Sequence, residues 1–300
     1  MRLTTVTFNT YCLWDMLVGH SRQYDRVLEF VDLLPADTDV VCLQEFFCGK
    51  SALCSADYTP RVDRRMRARG LAHRTAANLP RAPPAGAPFA LCAGAVRLVR
   101  TRRWGLPLMC LAPVTLTAVL LCAVHLALGD QQHLDGGLVV YSRWPVLEQE
   151  SHPWKATREV HAPEHLAAKG FVWTRIRKNG TVVSIVNLHC CSACAPAVNR
   201  LQLAELARFL ARRVPPDEPT VIQGDFNIPH RVFARVFPGF RPAHEGEFCT
   251  WRKHDRSRCR HLDHVLHNRR FAVAEHRLLA QDRDLSDHVP VAATLVLRER

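Results

Sequence analysis

The side chains of this chain that can do chemistry stand where apolar runs stop. Ser286-Asp287-His288 sets a carboxylate beside an imidazole, and Pro290 then turns the chain into the alternating run Val291 to Leu297. An imidazole titrates near neutral pH, and a carboxylate can orient it or bind a cation, so the pair suits proton transfer at a sheet rim. Polar clusters of the same form recur along the sequence. Leu3 to Phe8 delivers Asn9, Asp39 to Leu43 delivers Gln44 and Glu45, and Gly136 to Tyr141 leads into Ser142-Arg143-Trp144-Pro145. Val182 to Val186 delivers Asn187 and His189, Thr220 to Gln223 delivers Gly224-Asp225-Phe226-Asn227, and His261 to Leu266 carries Asp263. Charged groups that end buried strands cost desolvation free energy unless they are paired or hold a metal. So many placements of one kind point to a shared polar site.

Short β-branched runs bounded by polar, Gly or Pro residues predict strands. Between them, Asp25 to Leu34 and Ala197 to Arg213 carry helical periodicity, the second with Leu201, Leu203, Leu206 and Leu210 in an apolar stripe. Alternating strands and helices without an internal repeat predict one α/β domain over residues 1–300, long enough to bury a large core.

The ordered set Asn9, Gln44-Glu45, Gly137-Leu138 with Ser142-Arg143-x-Pro145, Asn187-x-His189, Gly224-Asp225-x-Asn227, Leu262-Asp263 and Ser286-Asp287-His288-x-Pro290-Val291 resembles the endonuclease/exonuclease/phosphatase superfamily. The resemblance covers nearly the whole chain. It implies a four-layer α/β sandwich, DNase I-like, of two packed mixed β-sheets flanked by helices, and Mg²⁺-dependent hydrolysis of phosphoesters. Such a site must neutralise anionic oxygens and deprotonate water. By the same resemblance Glu45 is the principal Mg²⁺ ligand, with Asn9 and Asp287 close to the metal; oxygen donors suit that hard cation. His288 is implied as general base on water, and Asp263 as the group that holds and polarises it. His189, Asp225 and Asn227 are implied as contacts to the phosphoryl oxygens, with Asp225 also placed to protonate near the leaving oxygen. Asn187 stands behind these, or only supports its strand. Leu188 departs from the family pattern, which usually has a small polar residue before the central histidine. That puts detail of the phosphate cradle in question.

Within the superfamily, three stretches resemble the sphingomyelinase C (neutral sphingomyelinase) group: Lys169-Gly170 opening the run Phe171 to Ile176, the turn Ser142 to Val146, and Ala195 to Leu206 with Arg200 and Gln202. A phosphoinositide 5-phosphatase would show a Cys-Asp-Arg-like stretch where this chain has His261-Leu262-Asp263-His264. The resemblance therefore implies hydrolysis of sphingomyelin to ceramide and phosphocholine. The alternatives are an endonuclease or abasic-site repair enzyme of the same superfamily, and a catalytically inactive membrane-binding relative. The complete set Glu45, Asp225, Asp263, Asp287 and His288 argues against the last.

About ninety residues separate Glu45 from Gly136, so an Arg-rich and apolar insertion is expected at about 61–129. Within it, Gly105 to Leu128 has no Asp, Glu, Lys or Arg and is long enough for a helix to span a bilayer. A single crossing would part Asn9 and Glu45 from His189 to His288, which must meet. Burial, an apolar loop dipping into one leaflet, or a hairpin with Pro88 to Val99 remain, and Pro107 and Pro113 oppose one straight helix. Arginines flank the stretch at positions 61, 64, 65, 67, 69 and 74, then at 97, 100, 102 and 103, and fit an anionic leaflet. A phospholipid or sphingolipid membrane surface is thus the expected partner, with nucleic acid as alternative substrate and no protein partner inferred. The net charge of +12 serves either. A strand begins almost at Met1 and no secretory signal is read, so a cytoplasmic, peripherally membrane-associated protein with its twelve cysteines reduced is expected. Cys190, Cys191 and Cys194 lie beside His189 but lack the matched second pair of a structural zinc site.

Overall fold

A computed structural model of the chain describes residues 1–12, 23–47, 59–76, 136–156, 169–192, 194–229, 232–244, 246, 248–252 and 257–299. The strands are β1 Arg2–Cys12, β2 Val40–Phe46, β3 His73–Arg74, β4 Val139–Ser142, β5 Val146–Pro153, β6 Gly170–Lys178 and β7 Thr181–His189. They continue with β8 Thr220–Asp225, β9 Phe240–Pro242, β10 Trp251–Arg252, β11 Cys259–Arg260, β12 Asp263–Asn268, β13 Phe271–Leu278 and β14 Val291–Leu297. The helices are α1 Gln23–Leu33, α2 Thr59–Ala68, α3 Pro196–Arg213 and the single turn α4 Phe233–Val236. One six-stranded sheet has the order β13-β14-β1-β2-β4-β3, and a second has the order β5-β6-β7-β8-β12-β9. Both are mixed: β1–β2 and β7–β8 are parallel pairs among antiparallel neighbours.

Side-chain alternation decides which residues fill which layer. Along β1, Leu3 joins the core between the sheets while Val6 and Phe8 join the core under α1 and α2. Along β7, Val183 and Ile185 face the other sheet, whereas Val186 and Leu188 pack under α3 with Leu203, Leu206, Phe209 and Leu210. Four layers result: α1 and α2, sheet, sheet, α3. Central strands buried on both faces explain why runs such as Val40 to Leu43 are continuously apolar. α3 starts with Pro in its first turn, where the missing N–H costs nothing, and Leu201 lies outside its apolar stripe at 59% exposure.

Residues 59–76 of the expected insertion pack onto the first sheet. Val62 and Met66 of α2 are buried in the core beneath it, and β3 pairs with β4. The remainder of the expected insertion, Gly105 to Leu128 and Pro88 to Val99 included, falls outside the described residues. Among the described residues no helix is long and apolar enough to cross a membrane.

Candidate active site

Asn9, Glu45, His189 and Asp225 stand at or beside the C-terminal ends of β1, β2, β7 and β8, Asp263 opens β12, and Asp287-His288 precede β14. Parallel β1–β2 and β7–β8 pairs bring these ends to one pole. In the second sheet the register sets His189 and Asp263 on either side of Asp225. Gly224 makes that possible: its φ is +142°, and a Cβ there would lie 2.0 Å from the Leu188 carbonyl oxygen. In the first sheet Glu45 itself has φ +51°, uncommon for a side-chain-bearing residue. A Cβ on Gly137 would lie 2.9 Å from Glu45 Cα, and the Phe46 N–H donates to the Gly137 carbonyl at 3.0 Å. The backbone of Gly137 thus holds the strained turn that aims the carboxylate.

His288 Nδ1 donates to Asp263 Oδ2 at 2.7 Å, the carboxylate being able only to accept. His288 Nε2 lies 3.7 Å from Asp225 Oδ2, and His189 Nε2 lies 3.5 Å from the same oxygen and 3.7 Å from Glu45 Oε1. Asp225 accepts from Asn9 Nδ2 at 3.1 Å and from the Asn227 N–H at 2.9 Å. Asn227 Nδ2 donates to the Cys190 carbonyl at 3.0 Å. Asp287 accepts from Ser286 Oγ at 3.2 Å and from Trp251 Nε1 at 3.0 Å.

Burial raises the Glu45 carboxyl, against the opposing charges of Lys169 and His288. Burial likewise pushes Asp225 up to about 7, against the pull of His288. For His288 burial works downward, but the carboxylates of Asp263 and Asp225 override it and raise the imidazole. His189 is held well below its ordinary range by burial and by the positive charges of Lys169 and His288.

Among the described residues Asp225, Asp263 and His288 form the one group of three whose ligand atoms converge. Asp263 and His288 are already bonded to each other, so that trio reads as a proton relay. Glu45 offers the better cation site. Its Oε2 is buried without a hydrogen bond, Asp287 raises its affinity for positive charge, and the Asn9 side chain stands beside it, donating to the carboxylate. An oxygen-only donor set with one orphaned carboxylate oxygen fits Mg²⁺.

The endonuclease/exonuclease/phosphatase family matches residues 6–288. The chain belongs to that family. Within it, the chain is 26% identical over 210 residues to a sphingomyelinase C of Bacillus cereus, covering 55% of this chain and 62% of that protein. It therefore spans less than two thirds of the length of that relative. Two solved structures share the fold: beta toxin from Staphylococcus aureus with bound magnesium ions, at 17% identity and TM-score 0.64, and sphingomyelinase C from Streptomyces griseocarneus, at 20% and 0.61. Each alignment covers 98% of this chain and 99% of the other.

Not every residue singled out in this family member's sequence faces the site. Asn187 ties the layers together instead: its Nδ2 donates to the carbonyls of Leu43 and Val139 at 2.8 and 3.0 Å, and its Oδ1 accepts from Gln44 Nε2 at 2.6 Å. Leu188, the departure from the family pattern, packs into the core under α3, so it leaves the cradle untouched. Two contributors escaped sequence reasoning. Lys169 sits in a strand-opening Lys-Gly pair and is buried, its charge acting on Glu45, His189 and Asp225 while Nζ donates to Ser192 Oγ at 3.0 Å. Trp251 lies in no motif noted in the sequence. The cysteines also differ from the reduced set expected: Cys191 pairs with Cys194, and Cys249 with Cys259, at Cα separations of 5.6 and 5.5 Å. Their spacing in sequence did not reveal that proximity. Cys190 lies in neither disulfide and is buried.

Proposed function

We propose that the chain is a Mg²⁺-dependent phosphodiesterase that hydrolyses sphingomyelin to ceramide and phosphocholine at a membrane surface. The observation that carries the reading is the 2.7 Å Asp263–His288 bond facing buried Asp225 and His189 and partly buried Glu45. The sphingomyelinase C relatives favour the lipid substrate over a nucleic acid. Glu45 would hold the ion, with Asn9 and Asp287 beside it. When bound, a dication would supply charge that offsets the phosphate and the carboxylates around His288.

The remaining work falls to the chain's own groups. Asp263 fixes the imidazole so that Nε2 is the nitrogen left to take a proton from water. His189, Asn227 and Lys169 offer donors to phosphoryl oxygens. Asp225, with its carboxyl raised by burial, can carry a proton to the leaving ceramide oxygen. Exposed Arg61, Arg64 and Arg67 on α2 add positive charge suited to peripheral attachment to an anionic leaflet.

Purified protein with Mg²⁺ should release phosphocholine from sphingomyelin in mixed micelles, and Glu45→Gln and His288→Ala should each abolish it. Phosphatidylcholine and an abasic-site duplex run in parallel. Cleavage of the duplex with inert sphingomyelin would overturn the lipid reading in favour of a nuclease. Turnover of none of the three would overturn it in favour of another phosphoester or a binding role.

A further inference from the structure

Residues 249–252 tie the two halves of the catalytic cluster together. Thr250 Oγ1 accepts the N–H groups of Leu262 and Asp263 at 2.9 and 3.0 Å, and the Thr250 carbonyl accepts the Val289 N–H at 2.7 Å. The Arg252 N–H donates to the Asp287 carbonyl at 2.8 Å, Trp251 pairs with His288 across an isolated bridge, and the Trp251 indole holds Asp287 Oδ2. Asp263, Asp287 and His288 thus all lean on one short segment. That segment belongs to the hairpin β10–β11, which among the described residues pairs at Trp251–Arg260 and Arg252–Cys259, with the Thr250 N–H donating to the Arg260 carbonyl at 3.0 Å. A two-stranded ribbon of that length is not stable by itself in water. The Cys249–Cys259 disulfide closes its base, and Cys259 is exposed between exposed Arg258 and Arg260. Cationic neighbours at an exposed sulfur draw in an anionic thiolate, the attacking species in exchange.

We propose that Cys249 and Cys259 are a thiol–disulfide modification site that orders the Asp263–His288 pair and Asp287 when oxidised and loosens them when reduced by a dithiol. One reductant thiolate attacks Cys259 Sγ, and the S–S bond breaks with Cys249 leaving as thiolate. The second reductant thiol then resolves the mixed disulfide. Two electrons pass to the cysteines, the two protons of the reductant end on their sulfurs, and the reductant leaves as its own disulfide. The Cys191–Cys194 pair is a poorer candidate, because Cys191 is buried.

The test uses the full chain purified without reductant, with and without dithiothreitol. Differential alkylation with peptide mass mapping reports which cysteines are bonded, and amide hydrogen exchange reports order at residues 261–263 and 286–289. Cys249 and Cys259 should resist alkylation until the dithiol is added, and exchange at both segments should then quicken, about tenfold. Phosphocholine release should fall by a similar factor, the usual cost of losing a supporting contact around a metal site. The C249S/C259S double variant should match the reduced protein without dithiol and not respond to it, with its melting transition retained as evidence of folding. Free alkylation of both cysteines in the isolated protein would overturn the proposal, as would native exchange in the double variant. Exchange and alkylation need neither metal nor substrate, so an enzyme inert to sphingomyelin would still decide it.

Discussion

Asp263→Asn isolates what the Asp263–His288 bond contributes, because it removes the charge and nearly preserves the shape. Hydrogen bonds to charged groups contribute about 1.5–3 kcal/mol. At about 1.4 kcal/mol per decade, kcat/KM should fall roughly ten- to 150-fold. The fold should also feel the change. Asp263 Oδ1 is buried and accepts no hydrogen bond, so an amide group turned to that side would bury a donor with nothing to meet it. That costs about 1–3 kcal/mol of stability, readable in urea unfolding. Kinetics on mixed micelles, with unfolding measured on the same samples, separates the two effects. If the pair acts as a unit, D263N/H288A should be no worse than H288A alone. A D263N enzyme within about threefold of native kcat/KM, or a double variant that loses the sum of both singles on a logarithmic scale, would refute the relay.

Three further expectations follow from single contacts. Gly137→Ala introduces a Cβ 2.9 Å from Glu45 Cα at a φ of +62°, so it should displace the carboxylate and weaken Mg²⁺ binding at least about tenfold by calorimetry. Asn187→Ala strands the Leu43 and Val139 carbonyls and the Gln44 amide inside the sandwich, and should cost about 2–4 kcal/mol in urea unfolding while leaving turnover per folded molecule near native. His276 is pushed down to about 4 by burial and by His244, whereas in the unfolded chain it titrates near its ordinary value of about 6.5. The unfolded state therefore binds more protons between those values, and stability present above about pH 6.5 is lost as pH falls through about 4. His276→Phe, which can keep the ring contacts to His244 and Phe248, should flatten the fall of Tm on acidification across that window.

What was legible in the sequence were features local to one strand. Runs such as Val182 to Val186 and Thr220 to Gln223 announce both the strand and the polar residue at its end, because alternation and desolvation act along a single segment. The helix Ala197 to Arg213 was legible for the same reason, although Leu201 turns to solvent. What was hidden depends on which segment lies opposite. Asn187 and His189 share one face of β7 and look equivalent, yet Asn187 meets the carbonyls of β2 and β4 while His189 meets Glu45 and Asp225. Leu188 looked like a flaw in the cradle until its side of the strand was known.

The same limit explains the polar contacts between the sheets. Thr5 Oγ1 donates to Gln223 Oε1 at 2.9 Å, and Gln223 Nε2 in turn reaches Cys42 Sγ at 2.9 Å, joining three strands far apart in sequence. The inward face of β1 runs Leu3, Thr5, Thr7, Asn9, so polarity rises toward the catalytic pole. Apolar contacts tolerate a shift in how the sheets meet, whereas a buried polar chain satisfied in one alignment alone penalises every other. These contacts thus fix the alignment that apolar packing leaves loose, and with it the 3.5–3.7 Å approaches of His189 and His288 to Asp225. Trp251 and Lys169 act through the same aligned geometry from segments in which neither stands out, so their roles follow only once the sheets are placed.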